Sequence, residues 1–137
     1  MDYYAILEKS DGCYTISFPE FPHINTFGET KAEALEMASE ALNACLETDF
    51  ERGFSLPAQK IHRSKKAYPV KVLPHIEIAY TLRKLRKSKS QESIARELGI
   101  TYQAYQKLEN PRKCNPTIKT LEKIGNTLGK ELVISFC

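Results

Sequence analysis

The sequence predicts an α+β chain: a small antiparallel sheet covered by one helix, followed by an all-α unit that ends in a β-strand. Three observations carry this prediction. Residues 3–18 alternate in polarity around S-D-G at positions 10–12, and apolar residues between 35 and 50 recur at helical spacing. From residue 75 onward, short helical patterns begin at Ser or Thr and are separated by Gly99 and by Asn115-Pro116-Thr117. A length of 137 residues with 42% hydrophobic content accommodates one ordinary domain or two very small ones.

Tyr3 to Lys9 and Cys13 to Phe18 are rich in aromatic and β-branched residues and form a β-hairpin signal. Pro19 and Pro22 forbid an unbroken central strand, so the chain is expected to turn through P-E-F-P before a short third strand near Ile24 to Phe27, ended by Gly28. Thr30 and Glu33 make a T-x-x-E capping box, in which the hydroxyl takes a free backbone N–H and the carboxylate reaches back. The helix that follows places Leu35, Ala38, Leu42, Cys45, Leu46 and Phe50 on one face and Glu33, Glu36, Glu40, Glu47 and Glu51 on the other, with Gly53 as its stop. Y-P-V-K-V-L at 68–73 reads as a further strand. The segment 57–69, with prolines at both ends and Lys60, Arg63, Lys65 and Lys66 gathered inside, reads as a connection. Its charges suit DNA phosphates, an acidic neighbour, or plain solvent. The expected organisation is therefore residues 1–56, a linker at 57–74, and residues 75–137.

In the second half, His75 to Lys87 reads as a helix with Ile76, Ala79, Leu82 and Leu85 inward, and with Arg83, Lys84, Arg86 and Lys87 near its C-terminal end, where cations suit the helix dipole. Ser90 caps a helix over Gln91 to Leu98, Gly99 permits a left-handed turn, and Thr101 caps a third helix over Tyr102 to Glu109. This is the form of a helix-turn-helix. The small Ala95 lets two helices approach, Ile100, Tyr105 and Leu108 anchor the second from beneath, and Tyr102, Gln103, Gln106 and Lys107 are left facing outward. Glutamine can pair with adenine in the major groove and lysine can reach guanine or phosphate, so the outward chemistry suits base reading. Lys89, Arg112 and Lys113 flank that helix and suit phosphates, although each alone also suits a solvated surface. A fourth helix is expected over Ile118 to Leu128, and E-L-V-I-S-F at 131–136 reads as a terminal strand that pairs either with Tyr68 to Leu73 or with its twin in a second subunit.

Charge divides the chain more sharply than composition. Residues 1–56 hold three bases against eleven acids, a net of −8, and residues 57–137 hold seventeen bases against six acids, a net of +11. Such a split favours a basic partner for the first half and a polyanion for the second, or mutual attraction of the halves. Cys13, Cys45, Cys114 and Cys137 lie far apart, without a C-x-x-C pair or a histidine at metal-ligand spacing, and read as free thiols. Neither a metal nor a cofactor is implied. The acids show no sign of converging as a two-metal nuclease requires, and His23 reads as a lone surface imidazole. No basic segment followed by an apolar run opens the chain and no stretch approaches eighteen apolar residues, so a soluble cytoplasmic protein is the expectation.

Two resemblances sharpen this. The run YYAILEK, GCYTISFPEFP and TFGETKAEALEMASEAL, covering about residues 3–52, resembles the HicB family of antitoxins. That resemblance implies a partial ribonuclease-H-like fold with no catalysis of its own, which neutralises a small basic HicA-type ribonuclease toxin, and it points to Glu33, Glu36, Glu40 and Glu47 as the toxin-facing acids; a solvated helix face would look the same. Residues 75–129 resemble the lambda-repressor-like, Xre-type helix-turn-helix family through Gln91, Ile94, Ala95, Leu98, Gly99, Ile100 and Thr101, with Glu109 closing the third helix. This implies a phosphate contact at Gln91 and base reading by Tyr102, Gln103, Gln106 and Lys107. Tyr102 departs from the polar or basic reader common there, and suits a thymine methyl or a sugar instead. Together the resemblances imply an antitoxin that also represses its operon as a homodimer or higher oligomer. A stand-alone regulator with an acidic sensing or oligomerisation domain is the alternative, and a nuclease is a third reading.

Overall fold

The computed structural model describes residues 1–136, which fall into two compact units, Met1–Pro74 and a second that starts at His75. In the first unit β1 (Asp2–Ser10), β2 (Cys13–Phe18), β3 (Phe21–Gly28) and β4 (Ala67–Lys71) form one antiparallel sheet in the order β3-β2-β1-β4. The hairpin turn is Asp11-Gly12, with φ of 50° and 80°, the two left-handed residues that a tight primed turn needs between twisted strands. Tyr3, Ala5 and Leu7 of β1 alternate inward and meet Ile16, Phe18, Phe21 and Ile24 in the core.

β3 is longer than the sequence suggested, because it begins before Pro22 and not after it. It is an outer strand, where a missing N–H costs no ladder bond, and β4, the other outer strand, carries Pro69 for the same reason. The register also breaks here. Phe18 pairs with Phe21 but Ser17 with Asn25, so residues 22–24 stand out of the ladder as a bulge.

α1 (Lys31–Glu51) covers one face of the sheet. Thr30 caps it, its Oγ1 accepting from the Glu33 N–H at 3.1 Å. At the other end Gly53, at φ 80°, closes the helix: its N–H donates to the Phe50 carbonyl and that of Phe54 to the Asp49 carbonyl. The buried face is Ala34, Ala38, Leu42 and Leu46, whereas Leu35 and Phe50, expected inside, are half-buried. Small residues near the N-terminal end let the helix lie close to β3. A Cβ on Gly28 would stand 2.5 Å from the Ala34 backbone nitrogen and 2.7 Å from its Cα.

Asn43 is the one buried polar side chain of α1. It accepts from the Leu73 N–H (2.9 Å) and donates to the carbonyls of Lys71 (3.3 Å) and Ser39 (2.9 Å), fastening the end of β4 to the helix. The segment read as a linker lies along the sheet: the Tyr3 hydroxyl donates to the Pro57 carbonyl, Gln59 Nε2 to the Asp2 carbonyl, and Leu7 N–H to the Lys66 carbonyl. On this division the first unit carries eight bases and eleven acids and the second twelve and six, so the charge contrast is −3 against +6.

The second unit is helical: α2 (Pro74–Arg86), α3 (Gln91–Leu98), α4 (Tyr102–Leu108) and α5 (Ile118–Thr127). Leu82, Ile94, Ala95, Leu98, Tyr105, Leu108 and Ile124 form its core. The expected strand at 131–136 is absent. The described sheet ends at β4, and strand propensity is realised only against a partner strand. Val133, Ile134 and Phe136 are accordingly exposed, and Cys137 lies outside the described residues.

The approach at Gly28 is testable. Gly28→Ala forces backbone against backbone, and overpacking of this kind costs about 1–3 kcal/mol, read as a lower urea midpoint with an unchanged slope. A midpoint equal to wild type would mean that the helix can slide off β3 freely.

Candidate DNA interface and acidic helix face

Three N-caps of one kind build the second unit. Ser90 Oγ accepts from the Ser93 N–H, Thr101 Oγ1 from Ala104 and Thr117 Oγ1 from Thr120, all at 3.0–3.1 Å. Between α3 and α4, Gly99 sits at φ 71°, and the N–H groups of Gly99 and Ile100 donate to the carbonyls of Arg96 and Ala95. Lys123 of α5 reaches the Leu98 carbonyl at 2.6 Å, a cation on a helix C-terminus.

α4 is anchored by Tyr105 and Leu108, both buried, and Tyr102, Gln103, Gln106 and Lys107 are all exposed. Gln91 is half-buried at the start of α3. Lys89, Arg112 and Lys113 are exposed at the flanks. Asn110 shapes the loop that carries the last two, its Oδ1 accepting from the Arg112 N–H (2.9 Å) and its carbonyl from those of Lys113 and Cys114.

The residue that holds this surface in place is one that sequence reasoning missed. Arg86 donates through Nε and Nη2 to the two oxygens of Glu109, at 2.7 and 2.9 Å, and through Nη1 to the Lys89 carbonyl at 2.7 Å. The Glu109 side chain is 1% exposed and that of Arg86 18%. Arg86 had the appearance of one cation among four near the end of α2, and the 23 residues to Glu109 carry no local pattern. The hydrogen bonds to Glu109 raise the Arg86 pKa further above its ordinary value. Tyr105 stands beside the pair; burial first, then the Glu109 carboxylate, push its phenol well above the ordinary range, and its hydroxyl completes no hydrogen bond to any described residue.

In the first unit, Glu36 and Glu40 are exposed and Glu33 and Glu47 half-buried. At about 100° per residue the four fall within a strip of about 60°, roughly half a turn from the Ala34–Leu46 face that meets the sheet. His23 is not the lone imidazole the sequence suggested, and His62 also has a partner. His62 Nε2 lies 3.3 Å from Glu20 Oε1, and His23 Nε2 lies 3.0 Å from Cys45 Sγ, with Asp49 beyond it. Cys13, Cys45 and Cys114 are free thiols, yet Cys45 is not remote from histidine.

Residues 2–74 match the HicB-like antitoxins of bacterial toxin–antitoxin systems. The chain belongs to this family. Residues 81–134 match a helix-turn-helix family. Among curated relatives, antitoxin HicB 1 of Photorhabdus laumondii is 28% identical over 98% of this chain and 86% of its own length. Antitoxin HicB of Escherichia coli K12 is 29% identical over 89% and 88%. The plasmid copy control protein CopR of Streptococcus agalactiae is 38% identical over 43% of this chain and 65% of its own. Among solved structures, the N-terminal domain of Burkholderia pseudomallei antitoxin HicB aligns with 53% of this chain and 99% of that one, at TM-score 0.46 and 23% identity. This HicB-family protein is thus an antitoxin with a helix-turn-helix DNA-binding domain. No described helix is long and apolar enough to cross a membrane.

Removing one partner of the ion pair leaves the other as an uncompensated charge. Arg86→Ala is expected to cost about 3–5 kcal/mol of stability in the second unit, measured by chemical denaturation followed through the amide hydrogen exchange of α3 and α4. Arg86→Lys recovers little of it, because an ammonium cannot make the two parallel bonds.

Proposed function

We propose that this HicB-family antitoxin blocks a small basic ribonuclease toxin of the HicA type and represses its own operon, without catalysis of its own and within the cytoplasm. The observation that carries the reading is the pairing of two surfaces of opposite character on one chain: an acidic strip on α1, and an outward Gln103, Gln106 and Lys107 on α4, the helix closed by the Arg86–Glu109 pair. Carboxylates steer a basic RNA-binding partner by raising its association rate and excluding wrong partners. Glu33, Glu36, Glu40 and Glu47 take this role. Amides and an ammonium on an anchored helix read base edges, while Lys89, Arg112, Lys113 and the start of α3 at Gln91 hold phosphates. Tyr102 packs on a thymine methyl or on sugar.

A helix-turn-helix reads two half-sites when its protein is a two-fold dimer. The exposed run Glu131–Phe136 pairs with its twin in a second copy, which removes Val133, Ile134 and Phe136 from water.

Replacing Gln103 and Gln106 together with Ala is expected to erase discrimination between operator and random DNA while toxin binding stays intact; loss of both activities would argue against separate surfaces. Removing any one of Lys89, Arg112 and Lys113 should instead weaken binding to all sequences and lower the salt slope by about one. Reversing Glu36, Glu40 and Glu47 to Lys is expected to slow association with the co-expressed toxin, measured by stopped-flow at low salt, and to leave DNA binding unchanged. An unaltered association rate would remove this helix face from the interface.

A further inference from the structure

We propose that His23, Cys45 and Asp49 form a binding site for a zinc-type divalent cation that ties the outer strand β3 to α1. The three are 22 and 4 residues apart in sequence, and two features of the fold bring them together. Cys45 and Asp49 are one turn apart on α1, so their side chains share a face. His23 stands in the bulge at residues 22–24, where the ladder skips from the Phe18–Phe21 pair to the Ser17–Asn25 pair. A bulge re-aims the side chain it carries, and here the imidazole meets the helix.

His23 Nε2 is 3.0 Å from Cys45 Sγ, Cys45 Sγ is 3.6 Å from Asp49 Oδ2, and the three donor atoms all lie within 4.8 Å of one another. Ligands on one tetrahedral zinc, at bond lengths of about 2.0–2.3 Å, are themselves about 3.3–3.6 Å apart, so small side-chain rotations bring the triad onto an ion. The donor set selects the metal class. One nitrogen, one sulfur and one oxygen suit a borderline-soft ion, whereas Mg²⁺ and Ca²⁺ call for oxygen throughout. On binding, the Cys45 thiol releases its proton to the buffer, the imidazole binds through its unprotonated Nε2, and thiolate with carboxylate balances the 2+ charge. His23 is exposed and the other two half-buried, which leaves the fourth position to water. The thiol is held protonated in the metal-free protein by burial and by the Asp49 carboxylate, which push it up to about 11; the same carboxylate then becomes a ligand.

The test uses the full chain, stripped of metal with a chelator under a phosphine reductant. Zn²⁺ titrated against a chromophoric competitor is expected to bind at one ion per chain, and Co²⁺ to give the thiolate-to-cobalt charge-transfer band of a sulfur-ligated site. Zn²⁺ should also raise the melting temperature. His23→Gln and Cys45→Ser are each expected to weaken Zn²⁺ by about 100-fold or more, beyond the loss of an outer partner, and Asp49→Asn by a smaller factor. A chain with Cys13, Cys114 and Cys137 all changed to Ser should keep the ion and the band. Absence of a bound ion, or a band that survives Cys45→Ser or an affinity unmoved by His23→Gln, overturns the site; His23→Gln lies on an exposed outer strand and keeps that reading open even where Cys45→Ser fails to fold.

Discussion

A carboxylate almost sealed from water, Glu109, decides where α4 of the second unit can lie. An ionised group in such a place persists only with a partner of matched geometry, and Arg86 supplies two parallel hydrogen bonds to it. The third Arg86 bond, to the Lys89 carbonyl, ties the end of α2 to the turn that precedes α3. One side chain therefore fixes α2, the turn, and the end of α4 relative to one another. Apolar packing of Ile94, Leu98, Tyr105 and Leu108 gives α4 its depth in the unit; the ion pair gives it register along its own axis. The exposed Gln103 and Gln106 owe their placement to both.

The first unit uses a different device for the same end. Its helix is held near the sheet at one end by the missing side chain of Gly28, and in its middle by Asn43, whose amide takes up backbone groups of Lys71 and Leu73 at the end of β4. The carboxylate strip on the far side of α1 depends on both for its orientation. Neither contact involves a charge.

What could be read from the sequence and what could not follow one physical line. Features with a local cause were legible: the Asp11-Gly12 turn, the Thr30 cap, the Gly53 and Gly99 stops, and the outward set on α4, each fixed by residues within four or five positions. Features that depend on distant partners were not. Arg86 and Glu109, Asn43 and Leu73, and His23 and Cys45 are 22 to 30 residues apart and have no periodicity to announce them. The run at 131–136 marks the opposite failure. Its composition is that of a strand, but strand propensity is realised only against a partner, and the described chain supplies none. Pro22 misled for a related reason: proline excludes a central strand, and whether a strand is central is a property of the sheet.

The shift of the basic segment 57–71 into the acidic unit changes what charge can say about partners. Lys60, Arg63, Lys65, Lys66 and Lys71 reduce the first unit's net charge from −8 over residues 1–56 to −3 over residues 1–74 without neutralising its helix. Net charge governs long-range attraction, which salt screens beyond about 8 Å at physiological ionic strength. The arrangement of charge governs what happens inside that distance. A small net charge on the first unit thus coexists with a concentrated strip of carboxylates on one face of α1. The acids of the first unit therefore make a field that is directional more than strong.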